Sequence, residues 1–408
     1  MQWDSLGFKD DPFSTDPITQ ATLPLYVGHL EKTARCNNAL SQKNVLLIVE
    51  GSRGVGTTSF SNHLRFSSQL SKGYFTPNNE IRVESDWRLE VLLTVMIANI
   101  VRELDLFHRE QVIKDQRFLQ AKTLSMNVAE AYRSFGVEAF GFGINYGKSA
   151  GLSSQPAIVS SAVLGHHLED LSELVLSLGY RYGILIQLNN LDLGTIHEEK
   201  YLKYLFNSIR DYIQTDGVSW ILVGDLGLRK FIAQEVDRLD DIVSYEVEIP
   251  PLTETEYELL LTKRIDFYRS NINASIPIEK EVFLYLYTIT NGRLRYIFGL
   301  LQRLMNDLFV GDLTDRITIT IAKPTIIALA RDRIKRNTLT PGEELILKVL
   351  VRLKKANSSM LQKEIGKKMQ YISPLLVKLV KSKLAIVHKI GRNRYYSPVL
   401  DAIIAYSE

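Results

Sequence analysis

The stretch Val45-Leu46-Leu47-Ile48-Val49-Glu50-Gly51-Ser52-Arg53-Gly54-Val55-Gly56-Thr57-Thr58 decides the fold. Residues 45–49 are apolar at every position and too few for a helix, so they read as a strand buried on both faces of a parallel sheet. A Gly-rich turn follows, and residues 58–70 then take helical spacing. Gly51, Ser52, Arg53, Gly54, Val55, Gly56, Thr57 and Thr58 overlay G-x-x-x-x-G-K-[ST] at every fixed place except one, and Ser59 adds a hydroxyl to the first helical turn. Glycines let backbone amides approach phosphates, and the helix N-terminus turns its positive end toward them. Gly51 to Ser59 are therefore the candidate site for ATP or ADP. The exception is Thr57, which stands where a lysine would meet the outer phosphates. Thr58 offers a hydroxyl to magnesium.

Working outward, strand-like runs recur at 81–84, 183–188 and 218–223, with helical stretches at 87–106, 157–178 and 198–214 between them. Strands alternating with helices predict an α/β fold, a parallel sheet with helices on both faces. This core is expected over 41–252, with 1–40 packing on it. A Gly-rich insertion lies at about 134–156, where Phe140, Phe142, Ile144 and Tyr146 alternate as in a strand. From Leu252 the texture changes. Thr253-Glu254-Thr255-Glu256 is a capping-box pattern that opens the first of three helices, so 253–330 is expected to be a small helical lid. Residues 338–408 predict three short helices (341–355, 358–369 and 373–384) and a hairpin with a basic tip, Gly391-Arg392-Asn393-Arg394. That order resembles a winged helix-turn-helix.

Charge singles out the last segment. The 408 residues carry a net +3, yet 331–408 hold 17 Lys and Arg against 6 Asp and Glu, a balance of +11, while the rest stands at −8. A basic module on an acidic body points to duplex DNA as partner. With 45% apolar and 23% charged residues the chain is neither disordered nor fibrous. One cysteine, Cys36, leaves no disulfide framework or multi-cysteine zinc site and fits a reducing compartment. No secretory signal opens the sequence, and the most apolar stretch, 91–101, is too short to span a bilayer and contains Asn99. The expectation is a cytoplasmic protein without a membrane partner. His166-His167 beside Glu169 and Asp170 do not read as a metal site, because adjacent helical residues point apart.

In the order and spacing of several motifs the chain resembles the AAA+ ATPases, specifically the initiator-like branch of origin-recognition and transposition-regulator ATPases. Gly7 to Phe13 and Tyr26-Val27-Gly28 are similar to that branch's N-terminal signature. Residues 184–190, Ile-Leu-Ile-Gln-Leu-Asn-Asn, fall where the Walker B strand ends, 220–225 resemble the sensor-1 strand with Asp225 at its tip, and Asn291 to Arg295 resemble sensor 2. The resemblance implies a P-loop core, a lid and a winged helix, and adds Asp225 and Arg295 to the nucleotide-binding set. The departures bear on activity. Asn189 stands for the aspartate that supports magnesium, and Asn190 for the glutamate that polarises water. With Thr57, all three core positions have lost their charge. An asparagine is not a base near neutral pH, so no catalytic residue is assigned, and magnesium support is poor. Asp192 is expected to act as a turn former or helix cap. No arginine occupies the usual finger position, which reads Val243-Ser244-Tyr245.

In a winged helix the third helix enters the major groove and the wing meets backbone. The candidate DNA contacts are Lys363, Lys367 and Lys368 on the second helix, Tyr371 and Ser373, then Lys378, Lys381 and Lys383 on the third, and Arg392 and Arg394 at the wing. Lysines position without specifying, and 373–384 hold no Arg, Asn or Gln, so weak sequence preference is expected. The leading expectation is a DNA-binding scaffold or recruiter with a degenerate nucleotide site, working with a protein partner and as a homo-oligomer. Two alternatives stand beside it: a nucleotide switch that oligomerises on ATP with slow or no hydrolysis, and an adaptor whose winged helix docks a partner enzyme.

Overall fold

The computed structural model describes residues 3–84, 87–134, 159–194, 196–272, 274–309, 316–390 and 393–406. Most of the Gly-rich insertion, with its alternating aromatics, lies outside the described residues, as does Arg392. The chain divides into two compact units, Pro17–Pro250 and Met1–Asp16 with Pro251–Glu408.

The first unit runs α1 (Leu30–Ala39), β1 (Leu46–Gly51), α2 (Thr57–Leu70), β2 (Ile81–Arg82), α3 (Leu89–Phe107), α4 (Arg109–Val112), α5 (Gln116–Ser134), α6 (Ser161–Ser177), β3 (Ile184–Asn189), α7 (Ile196–Ile213), β4 (Val218–Gly224), α8 (Leu228–Glu235), α9 (Asp237–Asp240) and β5 (Tyr245–Ile249). The five strands are parallel in the order β2-β3-β4-β1-β5. Alternate side chains of the central strands enter two separate cores. Leu46 and Ile48 of β1 join Trp220 and Leu222 of β4 in one, beneath α3, α6 and α7. Leu47 and Val49 join Ile221 and Val223 in the other, beneath α1 and α2 with Cys36, Phe60 and Leu64. A strand buried on both faces must be apolar throughout, which is why 45–49 reads so plainly. The expected doubly covered parallel sheet is present.

One strand escaped the sequence reading. β5 pairs with β1 at the sheet edge, where Val247 and Ile249 are buried and Glu246 and Glu248 are exposed. Of the residues compared with a finger position, only Tyr245 lies in this edge strand, as its first residue.

In the second unit, α10 (Glu254–Tyr268), α11 (Lys280–Thr290), α12 (Leu294–Phe309) and α13 (Ile319–Lys335) precede α14 (Pro341–Leu353), β6 (Ala356–Asn357), α15 (Ser358–Ile365), α16 (Met369–Lys381), β7 (Ala385–Ile390), β8 (Asn393–Pro398) and α17 (Leu400–Tyr406). The expected capping box is formed: Glu256 N donates to Thr253 Oγ1 and Thr253 N to Glu256 Oε2. The last three strands make an antiparallel sheet, β6-β8-β7, completing a winged helix. It shares a compact unit with the helical lid, through α13 against α17 and through Asp401, which accepts from Arg333 at 2.7 Å and lies 3.9 Å from Arg303.

The N-terminal segment needs a correction. Residues 1–40 were expected on the sheet domain, but 1–16 belong with the lid. Phe8 and Phe13 are fully buried, Phe13 stacks with Phe298, and Arg264 donates from Nε to Pro12 O (2.6 Å) and from Nη2 to Ser14 O (2.7 Å). Among the described residues no helix is long and apolar enough to cross a membrane.

Candidate nucleotide loop and nucleic-acid interface

The loop between β1 and α2 has the backbone of a phosphate cradle. Gly54 and Gly56 take φ of +91° and +107°, a region that side-chain-bearing residues rarely adopt. Gly51 admits no side chain, because a Cβ there would lie 2.7 Å from Thr57 Cγ2 and 2.8 Å from Ile249 O. Space over Gly56 is open, with nothing within 4 Å of a Cβ placed there. Val55 is buried and donates its N–H to Ser52 O at 3.2 Å, which holds the turn. Thr57 therefore opens α2 with its methyl against Gly51 and brings no charge to the loop. Arg53, on the outside of the loop, is exposed. Thr58 is half-buried in the first turn. The Ser59 hydroxyl, expected at the nucleotide, accepts from Ile18 N at 3.2 Å, while Asn62 Nδ2 donates to Ile18 O at 2.8 Å. Together they pin residue 18 onto α2.

Asn189, at the end of β3, is buried, and its Oδ1 accepts from Gln187 Nε2 at 2.9 Å. Two residues apart on a strand, the side chains share a face. Asn190 is exposed with φ +64°, a conformation asparagine tolerates better than most. Neither supplies charge.

Asp192 was expected as a turn former or cap. Its carboxyl instead lies 3.6 Å from Arg53 Nη2 and is hydrogen-bonded with Asp225. Burial raises the Asp192 carboxyl above the usual carboxylate range, and Arg53 opposes that rise. Burial, then the neighbouring Asp192 charge, pushes Asp225 up to about 6. Glu198 adds a third negative charge nearby. The turn that carries Asp225 is held from β1: Glu50 Oε2 accepts from Gly227 N (3.1 Å) and Arg229 N (2.9 Å), satisfying the open N-terminus of α8. Sequence reasoning did not assign Glu50 a role; its cue is a carboxylate ending an otherwise apolar strand. Arg295 stands exposed in the first turn of α12, in the other unit.

Two conclusions follow on fit. The loop backbone suits a phosphate group. The charge set for magnesium-triphosphate does not: the strand-end amide is engaged by Gln187, and the acids beside Arg53 repel an anion. Among the described residues no group of three or more His, Cys, Asp or Glu is arranged to hold a metal.

In the winged helix the third helix starts earlier than expected. Gly366, at φ +71°, closes α15, and α16 begins at Met369 with Lys368 as N-cap. Ser373-Pro374 looks like an N-cap followed by a first-turn proline, but Ile372 is fully buried one residue earlier and fixes the helix upstream. Gln370 thereby falls in the first turn of α16. Lys363, Lys367, Lys368, Lys381 and Lys383 are exposed, as is Arg394 on β8. Ser373 is half-buried. Two candidates, both exposed, have a neighbour within the module: Lys378 Nζ lies 3.7 Å from Glu343, and the Tyr371 hydroxyl lies 2.3 Å from where a Cβ on Gly342 would stand. Both lean on the start of α14.

No protein-family profile matches the chain. No curated protein sequence matches it. Among solved structures it is similar to the ORC1 protein of Aeropyrum pernix in complex with DNA, at 16% identity over 97% of this chain and 96% of that one, TM-score 0.47. It is also similar to a Walker-type ATPase of Pyrococcus abyssi, at 14% identity over 97% and 99%, TM-score 0.48. A third is the CDC6p protein of Pyrobaculum aerophilum, at 14% identity over 97% and 96%, TM-score 0.40.

Proposed function

We propose that the chain is a DNA-bound scaffold: an AAA+-like body with a degenerate nucleotide loop, joined to a winged helix that grips duplex DNA. The observation that carries this is how charges pair in the winged helix. Residues 341–398 hold three carboxylates, Glu343, Glu344 and Glu364, and each lies beside a cation, Lys378, Lys348 and Arg352 respectively. Lys363, Lys367, Lys368, Lys381 and Lys383 have no carboxylate partner among the described residues. A surplus of exposed, unpaired cations is suited to phosphates, whose neutralisation releases counterions and drives binding. The body then acts by position rather than by hydrolysis, because Thr57, Asn189 and Asn190 bring no charge to the site, and it works through a protein partner. The test is fluorescence anisotropy of the full chain on a labelled duplex, beside a Lys367→Ala/Lys368→Ala variant. Binding weakened by the double substitution supports the reading; binding unaffected by it contradicts the reading.

A second reading has one observation in its favour. The conformations of Gly54 and Gly56 keep the loop open to a phosphate, as a nucleotide switch without turnover requires. Calorimetric titration with ADP and ATP separates the two: binding that chelation leaves unchanged supports the switch, and no binding removes it.

A further inference from the structure

The recognition helix carries a face that none of the lysine arguments uses. α16 buries Ile372, Leu376 and Leu379 in the module. A second face, with Tyr371, Leu375 and Lys378, leans on Gly342 and Glu343 of α14. At 100° per residue a third face, opposite the buried one, gathers Gln370, Pro374, Val377 and Lys381 within a narrow stripe. All four are exposed, Val377 by 59%. The Gln370 amide has no hydrogen-bond partner among the described residues. The stripe thus begins with an unengaged carboxamide, continues through two apolar side chains and ends in a cation.

That sequence of chemistries matches a major-groove edge. A carboxamide pairs with adenine through N6 and N7, and small apolar groups meet the C5-methyl of thymine. The unpaired cations Lys367, Lys368 and Lys381 at the two ends of the helix supply the phosphate contacts that would place it there. We propose that Gln370 and Val377 read an adenine·thymine element in the major groove, so that the chain prefers particular duplexes and is not a purely electrostatic binder. This rests on the DNA-scaffold reading above. It also revises the expectation of weak preference, which followed from starting the helix at Ser373 and so leaving Gln370 outside it.

The experiment is selection of duplexes from a randomised library by the full chain, followed by anisotropy on the selected site and on a scrambled one. The selected site should contain a fixed A·T pair whose replacement by G·C lowers affinity about tenfold or more. Replacing its thymine by deoxyuridine, which removes only the methyl, should lower affinity severalfold. Gln370→Ala should keep scrambled-duplex affinity and thermal stability while flattening the preference at that pair, since the side chain has no hydrogen-bond partner among the described residues. Val377→Ala should remove the deoxyuridine effect. Binding with a flat selection profile, or a profile unchanged in Gln370→Ala, overturns this inference and leaves the scaffold reading standing. Absence of duplex binding altogether overturns both.

Discussion

Gln187 Nε2 donates to Asn189 Oδ1 across 2.9 Å, and both residues are buried on β3. The end of β3 is thus closed by a neutral amide pair. Neither amide can take a proton from water near neutral pH. ATP turnover by the purified chain should equal that of a Gly56→Arg variant, with or without duplex DNA, measured by phosphate release. A rate of about 1 per second, ordinary for an enzyme, that Gly56→Arg abolishes would contradict this.

The Asp192–Asp225 pair makes stability depend on pH. Asp225 is raised to about 6, and Asp192 is raised as well, burial being the first cause for each. The folded state therefore holds protons that the unfolded chain releases near pH 4. Stability should fall as pH rises from about 4 to 6, then level off. Asp225→Asn should be more stable than wild type at pH 7.5, by about 1–3 kcal/mol, and the gain should vanish near pH 4. Urea titrations at several pH values check this; a gain independent of pH would show that the pair does not titrate as described.

Glu50 should matter to stability through α8. Glu50→Ala leaves Gly227 N and Arg229 N without their carboxylate, costing about 1–2 kcal/mol. Glu50→Gln should recover part of it by keeping an acceptor in place. Equal losses in the two variants, read from denaturant midpoints, would show that the cap carries none of the effect.

Arg264 should govern the first sixteen residues. Its guanidinium donates to Pro12 O and Ser14 O and sits 4.6 Å from the Phe298 ring centroid. Arg264→Met keeps the packing volume but leaves both carbonyls without their donor, costing about 3 kcal/mol. Limited proteolysis should then cleave within residues 1–16 before other sites; an unchanged cleavage pattern would show that Phe8 and Phe13 suffice to hold the segment.

What the sequence revealed and what it hid divide along physical lines. Residues 45–49 were legible because a doubly buried strand leaves no polar position, and the loop after them because only glycine tolerates those φ values. β5 was hidden because an edge strand alternates, and Glu246 and Glu248 break its apolar run. The start of α16 was misplaced because Ser373-Pro374 mimics a helix entry, while the evidence against it, burial of Ile372, is tertiary. Asp192 read as a turn former because Arg53 and Asp225, the groups that define its surroundings, are remote in sequence. Tyr371 keeps the exposure a groove contact needs, but its packing over Gly342 was not legible, because the two residues are remote in sequence.

The salt dependence of duplex binding by the full chain tests the central claim most directly. With Lys363, Lys367, Lys368, Lys381 and Lys383 neutralising about five phosphates, log affinity should fall against log salt with a slope of about −4.5. Lys367→Ala/Lys368→Ala should reduce that slope by about two and weaken unrelated duplexes alike. A slope near zero, or one that the double substitution leaves unchanged, would show that the winged helix does not hold DNA through these side chains and would contradict the account.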